Sequence, residues 1–361
     1  VKVVRIGERE VGKGKPVLIV AEAGDNHNGK LVLALRLVAA AKEAGADAVK
    51  FQTFVTEELV TKSAGKAPYQ DENEPESKTQ FEMLKGLELN EKDFEDIKTA
   101  CKQQGIMFLS SPFDEPSVEM LERLGVPAFK IPSGEIDNFP LLELIASKGK
   151  PVILSTGMST LEEVREAVEV LRKGGVKELV LLQCTSNYPA SFDSLNLRAM
   201  GTLEREFDVP VGYSDHSLGI EASVAAAAMG ACMIEKHLTL DKTLPGPDHV
   251  ASLEPEEFAA MVSAIRNVEK ALGDGRKVPH PSEESVRKVA RKSIKTLREI
   301  PKGTKLDKSM LKIKRPASGW PPKMLREVIG HVTEADSGAD MDLTSKIKGI
   351  EPIPLPRIEE D

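Results

Sequence analysis

Positive charge is in deficit: Lys and Arg number 49 against 57 Asp and Glu, a formal net charge of −8. Such a chain is a poor match for generic nucleic-acid or anionic-membrane binding, so an anionic ligand must be held by a local cluster of cations. Cysteine is scarce too. Cys101, Cys184 and Cys232 are widely spaced, form no C-x-x-C pair and sit in apolar or helical contexts, which argues against a disulfide framework and for a reducing, cytoplasmic setting. No apolar run approaches the roughly 18 residues of a membrane helix, and no basic-then-apolar leader opens the sequence, so neither a span nor a signal peptide is expected. Gly-rich dinucleotide fingerprints, P-loops and G-x-S-x-G elbows are missing, which weakens redox, ATP-dependent and serine-hydrolase readings.

What is present is a globular composition, 40% hydrophobic and 29% charged over 361 residues, long enough for one large domain and a smaller one. Short apolar, β-branched runs recur at 17–21, 47–51, 106–109, 127–131, 151–154, 178–183, 209–212 and 231–235. Runs without polar alternation suit strands buried on both faces, and amphipathic segments separate most of them, the pattern of a parallel α/β sheet. Leu31, Leu35 and Val38 repeat at helical spacing, Thr160 and Glu163 form a capping-box pattern, and Pro255 opens a helix that Gly273 is placed to end. Eight such units in about 270 residues predict a (β/α)8 TIM barrel over 1–273 rather than a doubly wound sheet. The segment 53–89 is too long for an ordinary βα connection, and its polar middle from Tyr69 to Asn73 is a candidate covering loop. Residues 274–290 read as a Gly-, Pro- and charge-rich linker, and 291–361, with short strand-like pieces and one helix near 322–330, as a separate small domain.

In a barrel of this kind chemistry sits where strands run out at their C-terminal ends. Nearly every predicted strand ends in polar residues: Glu22; Lys50 and Gln52; Ser110 and Ser111; Lys130, Ser133 and Glu135; Ser155 and Thr156; Thr185, Ser186 and Tyr188; Ser214, Asp215 and His216; Glu235, Lys236 and His237. Lys50 and Lys130 follow apolar residues directly, and with Ser111, Ser133, Ser155 and Ser214 they offer the cations and hydroxyls needed to hold a phosphate beside a carboxylate. His216 and His237 end neighbouring strands, so their imidazoles can approach a common divalent ion, with manganese, magnesium and zinc all compatible. Asp215 and Glu235 are candidate orienters or further ligands. Asp248, in the stiff Leu244-Pro-Gly-Pro-Asp-His turn, can present a carboxylate to a sugar hydroxyl.

Taken in order, Ala21-Glu22-Ala23-Gly24-Asp25-Asn26-His27-Asn28-Gly29, Val49-Lys50-Phe51-Gln52, Phe129-Lys130-Ile131-Pro132-Ser133-Gly134-Glu135, Leu154-Ser155-Thr156-Gly157-Met158, Tyr213-Ser214-Asp215-His216-Ser217 and Glu235-Lys236-His237 resemble the sialic acid synthase family. Lys314-Arg315-Pro316 and the turns before it resemble that family's C-terminal antifreeze-like (SAF) domain. The resemblance implies a synthase that condenses phosphoenolpyruvate with an open-chain N-acetylhexosamine, with N-acetylmannosamine first in line and N-acetylneuraminate as product. A 2,4-diacetamido hexose, giving an N,N'-diacetyllegionaminate-type product, is the alternative, and a carbohydrate- or ice-binding protein is the rival outside enzymology. It further implies metal on His216 and His237, manganese first, with magnesium or cobalt as substitutes. Lys50, Ser111, Lys130, Ser133, Ser155, Ser186 and Ser214 would hold phosphoenolpyruvate. Glu22, Gln52, Glu135, Tyr188, Asp248 and Arg315 would face the sugar, with Glu22 managing the proton of an attacking water. The working unit would be a homodimer exchanging its tails. The chain departs from the family at Cys184-Thr185-Ser186-Asn187, where some members have Cys-Thr-Asn, leaving Ser186 and Asn187 as rival phosphate contacts. It departs again at Ala317-Ser318-Gly319, after Arg315-Pro316, where many members have Pro-Gly-Asn-Gly or Pro-Gly-Thr-Gly.

Overall fold

A computed structural model describes residues 3–343 and 346–351. It divides into two compact units, Val1–Gly273 and Asp274–Asp361.

The first unit opens with an antiparallel hairpin, β1 (Val3–Ile6) and β2 (Arg9–Gly12). Eight parallel strands follow: β3 (Leu18–Gly24), β4 (Ala48–Thr53), β5 (Met107–Pro112), β6 (Phe129–Ile131), β7 (Val152–Ser155), β8 (Leu179–Cys184), β9 (Val211–Asp215) and β10 (Met233–His237). Each pairs with its chain neighbour, and β10 pairs with β3, so the ladder runs β5-β4-β3-β10-β9-β8-β7-β6. The two outermost strands, β5 and the three-residue β6, lie side by side. This is the (β/α)8 barrel expected from the repeated apolar runs.

Strand periodicity then determines what faces what. Leu18, Val20, Ala48, Leu109, Ala128, Ile153, Val180, Leu182 and Met233 form one apolar cluster, joined by Val4, Ile6 and Val11 of the hairpin. Their chain neighbours Ile19, Ala21, Val49, Phe51, Leu154, Leu181 and Ile234 belong instead to the cluster shared with the helices. The first set fills the barrel interior and the second packs under the helical ring. The hairpin, not expected from sequence, contributes its buried alternate residues to the interior cluster. Two residues further along each strand, the inward phase passes from apolar to polar side chains.

The helices begin as their sequences dictate. Thr160 Oγ1 accepts from the Glu163 amide at 3.3 Å while the Glu163 carboxylate accepts from the Thr160 amide at 2.7 Å. Helix Pro255–Leu272 ends at Gly273, whose φ of 59° lies in the left-handed region. The long segment after β4 is not structureless: it folds into helices Thr56–Leu59, Pro68–Asn73 and Gln80–Leu87. No helix among the described residues is long and apolar enough to cross a membrane, and all three cysteines are free and buried.

In the second unit, β11 (Ser293–Thr296) and β12 (Leu311–Lys314) pair antiparallel over a small core of Ile294, Ile300, Leu306, Leu311, Trp320, Met324, Val328, Leu343 and Ile347. Within 274–290, read from sequence as a linker, two short elements form. Pro281–Glu283 forms a 3-10 turn and Glu284–Ala290 an α-helix. The Glu283 carboxylate accepts from the His280 amide at 2.9 Å, and Glu284 pairs with Arg287 and Lys288 one turn on. The Lys288 carbonyl in turn accepts from the Ala317 amide, tying this helix to the turn after β12 within the second unit.

Candidate active site

At the C-terminal ends of the barrel strands lies a cavity of about 450 Å³. Most first-unit residues singled out as substrate or metal contacts line it: Glu22, Lys50, Gln52, Ser111, Lys130, Ser133, Glu135, Ser155, Ser186, Tyr188, Ser214, His216, His237 and Asp248, but not Asn187 or Asp215. Their convergence follows from phase. Residues 22, 50, 111, 130, 155, 214, 235 and 237 continue the inward alternation of the strands below them. Register brings Glu22 opposite Lys50, His237 opposite Glu22, and Glu235 opposite Ser214. Arg315 lies in the second unit, at the end of β12.

The floor is a buried charge cluster. Lys50 Nζ stands 2.8 Å from Glu22 Oε2, 3.0 Å from Ser111 Oγ and 3.8 Å from Glu235 Oε1. Lys130 Nζ is 3.4 Å from the same Glu235 oxygen, which also accepts from Ser214 Oγ at 3.0 Å. One carboxylate thus stands between two ammonium groups. Burial pushes Glu235 towards neutrality, but Lys130 and Lys50 outweigh it and hold the carboxyl below its usual range. Glu22, with one close lysine, is raised because burial wins over Lys50. For Lys50, burial is outweighed by Glu22 and Glu235, so its ammonium is stabilised; for Lys130, burial wins and the pKa falls. Charge on this floor is therefore adjustable, and a ligand anion beside the lysines would favour the charged form of both.

Beside the lysines, Ser133, Ser155 and Ser186 present hydroxyls, and Ser155 Oγ is buried with no hydrogen-bond partner. Gly157 donates its amide to Ser133 Oγ at 2.9 Å. A Cβ at Gly157 would lie 2.3 Å from Ser186 Oγ, 2.7 Å from Cys184 Sγ and 2.9 Å from Ser133 Oγ. Only a glycine lets the backbone approach these groups so closely. Of the two rival residues after Thr185, Ser186 lines the cavity and Asn187 is not among its lining residues.

The two imidazoles stand with ring centroids 5.5 Å apart. His216 Nδ1 is 2.7 Å from the Thr185 carbonyl, which can only accept, so Nδ1 carries the proton and Nε2 the lone pair. Burial lowers the pKa of His216 to about 4, and burial followed by the His216 charge takes His237 well below the usual value. His237 Nδ1 is buried without a hydrogen-bond partner, 3.5 Å from Asp248 Oδ2. Both rings are thus neutral near pH 7, the form that ligates a metal. Among the described residues no group of three or more His, Cys, Asp or Glu is placed to hold an ion. A divalent cation held here would have two imidazoles as its protein ligands, with remaining positions left to water or ligand oxygen.

The rim is aromatic and acidic. Tyr188 stands 4.2 Å from the His216 ring and stacks on Tyr69 at 5.2 Å, so helix Pro68–Asn73 reaches over the cavity. Asn73 Nδ2 donates to the Pro247 carbonyl at 2.8 Å, tying that helix to the turn bearing Asp248. Burial, then the Glu22 charge, raises Asp248 to about 7.

Residues 37–277 match the model of the NeuB family. The chain belongs to the NeuB family. Full-length relatives agree. The N,N'-diacetyllegionaminic acid synthase of Legionella pneumophila is 50% identical over 328 residues, covering 90% of this chain and 92% of that protein. The human N-acetylneuraminate-9-phosphate synthase is 39% identical over 324 residues, 89% and 90% of the two chains. A crystal structure of N-acetylneuraminic acid synthetase from Leptospira borgpetersenii serovar Hardjo-bovis, in complex with citrate, superposes with a TM-score of 0.70 at 38% identity, covering 79% of this chain and 95% of that one. The chain is therefore a synthase of the NeuB family, as its motifs suggested.

Two sequence expectations are revised by the geometry. Asp215 does not face the cavity: on the outward phase of β9 it pairs with Lys236 at 3.0 Å and accepts from the Ser217 amide and the Ser217 and Ser223 hydroxyls. Glu235 does face it, but as the partner of two lysines. The strand phase that places His237 inward also places Glu235 inward, and that signal was readable. Asp25, one residue beyond β3, also lines the cavity; as a single residue after a glycine it carried no periodic signal.

Proposed function

We propose that this NeuB-family synthase condenses phosphoenolpyruvate with a 2,4-diacetamido hexose and water, giving an N,N'-diacetyllegionaminate-type nonulosonic acid and phosphate. The observation that carries the phosphoenolpyruvate half is the floor: two buried lysines beside a ring of serine hydroxyls, in a protein whose net charge is −8. The acceptor rests on similarity, since the legionaminic acid synthase stands at 50% identity and the N-acetylneuraminate-9-phosphate synthase at 39%. N-acetylmannosamine, placed first on sequence motifs, becomes the second choice.

In this reading Lys50 and Lys130 hold the phosphate of phosphoenolpyruvate through charge-assisted hydrogen bonds, with Ser111, Ser133, Ser155, Ser186 and Ser214 completing the cradle. C3 of the enol phosphate attacks the aldehyde carbon of the open-chain sugar, and positive charge develops at C2. The C=O π pair moves to the aldehyde oxygen, which takes up a proton to become a hydroxyl; the proton later lost by water balances that uptake. Glu22, raised by burial, takes the proton of the water that adds at C2. Breaking the C–O bond then releases phosphate, whose charge the lysines stabilise. Glu235 stays ionised between the lysines and fixes their positions. A divalent cation on His216 and His237, manganese by family likeness, would polarise the aldehyde as a Lewis acid. Gln52, Glu135, Tyr188 and Asp248 face the sugar. The second unit acts as an SAF-type domain in a tail-exchanged homodimer, bringing Arg315 to the partner chain's acceptor.

The test is a panel of N-acylated hexoses incubated with phosphoenolpyruvate and manganese, read by phosphate release and product mass. A product formed preferentially from the 2,4-diacetamido sugar supports the reading. Preference for N-acetylmannosamine returns the assignment to N-acetylneuraminate, and no phosphate release from any sugar rejects the synthase mechanism.

A further inference from the structure

Asp25 has no part in the mechanism above, yet it is among the most constrained polar residues of the site. It is 6% exposed, it lines the cavity, and its Oδ1 has no hydrogen-bond partner. Leaving a buried carboxyl oxygen without a hydrogen-bond partner is costly, and a ligand in the cavity can supply that partner.

Its position is fixed from both sides. Gly24, with φ at +48°, turns the chain at the end of β3, and the Asn26 amide closes that turn on the Ala23 carbonyl at 2.9 Å. The Asn26 side chain donates to the Leu238 carbonyl and to Ser252 Oγ, both at 2.9 Å, and Ser252 Oγ donates onward to the Asp248 carbonyl at 2.7 Å. One chain of hydrogen bonds thus joins the turn bearing Asp25 to the turn bearing Asp248. Two turns, each bearing a carboxyl group, are thus tied together on the rim, above a floor that already has its own cations. No described lysine or arginine forms an ion pair with either.

The open acceptor of Asp25 calls for a donor on the ligand. A sugar bearing two acylamino groups offers an amide N–H where N-acetylmannosamine offers a hydroxyl. We propose that Asp25 is a specificity-determining residue whose carboxyl oxygen accepts the N–H of the second acylamino group of the acceptor, the group that N-acetylmannosamine lacks. This rests on the acceptor reading above and gives it a structural cause. A site shaped around the acylamino group discriminates against the hydroxyl analogue, which neither fills the space of the acyl group nor holds its donor in the amide plane.

The experiment measures kcat/KM for a 2,4-diacetamido hexose and for N-acetylmannosamine, at saturating phosphoenolpyruvate, in the wild type, Asp25→Ala and Asp25→Asn. For Asp25→Ala the ratio between the two sugars is expected to fall by about ten- to a hundredfold, through the diacetamido sugar alone. The KM for phosphoenolpyruvate should stay at the wild-type value, which also reports that the variant is folded. Asp25→Asn keeps an accepting oxygen and should retain most of the discrimination; should Asp25→Ala not fold, a ratio in Asp25→Asn altered more than the Ala prediction overturns the assignment, and a retained ratio upholds it. Equal losses for both sugars, or an unchanged ratio in Asp25→Ala, overturn it too. A wild type that prefers N-acetylmannosamine rejects the acceptor reading, and with it this role for Asp25, before any variant is compared.

Discussion

Lys50, Lys130, Ser155, Ser214 and Glu235 are strand residues, placed by ladder register on the inward phase of a closed sheet, whereas Tyr69, Asp25 and Asp248 stand on turns and a six-residue helix around the rim. Floor groups carry their own cations: one Glu235 oxygen sits between two lysines and accepts from Ser214, while Ser155 Oγ and the other Glu235 oxygen are left for a ligand. The rim leaves an acceptor, Asp25 Oδ1, open with no described lysine or arginine paired to it. A floor of this kind suits the part of a reaction common to all turnovers, the anion and its leaving phosphate. A rim of this kind suits selection of the partner, because a loop residue can change without disturbing the sheet beneath it.

The comparison breaks most readily at the boundary between the two. His216→Ala or His237→Ala is expected to abolish condensation and to lower the metal content of the purified protein, since each removes half of the imidazole pair. Metal analysis beside turnover checks this, and full activity of metal-stripped wild type would contradict it. Next in size is Glu235→Ala, which leaves two buried ammonium groups without their shared carboxylate. Unfolding in denaturant should show a loss of about 3–5 kcal/mol, together with a fall in turnover. Rim substitutions should leave stability nearly untouched.

Smaller effects sharpen the division. Gly157→Ala puts a methyl against Ser186, Cys184 and Ser133 and should raise the KM for phosphoenolpyruvate about tenfold through displaced hydroxyls, with the acceptor KM unchanged. Tyr69→Ala removes the ring stacked on Tyr188 and should do the reverse, raising the acceptor KM about two- to tenfold while phosphoenolpyruvate is unaffected. Steady-state kinetics with each substrate varied in turn distinguishes them, and a crossed result in either variant would undo the division.

The same contrast explains how much was legible beforehand. The floor could be read because burial on both faces forces continuous apolar runs, and the first polar residues after them mark the strand ends. Lys50, Lys130, Ser214 and His237 all stood out in this way. The role of Glu235 could not be read, because the pairing of one carboxylate with lysines from β4 and β6 is a property of the closed ring rather than of any segment. Asp215 was misread for want of strand phase: it lies one residue from two inward groups and therefore points outward. On the rim, Asp248 was visible through its Pro-Gly-Pro turn, whereas Asp25 depends on hydrogen bonds from Asn26 to Leu238 and Ser252, more than 200 positions away. Helix Glu284–Ala290 was missed because its only apolar members beyond alanine, Val286 and Val289, are exposed. A periodicity argument has no buried face to find there.

The central claim is that the buried lysines hold the phosphate of phosphoenolpyruvate while the rim reads the sugar. Kinetics of Lys130→Ala with both substrates varied tests it most directly. The account predicts that kcat/KM for phosphoenolpyruvate falls by about ten- to a hundredfold, the loss of one charge-assisted contact, while the acceptor KM stays within about twofold of wild type. Wild-type kinetics for phosphoenolpyruvate, or an equal loss on both substrates, would contradict it and place the phosphate elsewhere.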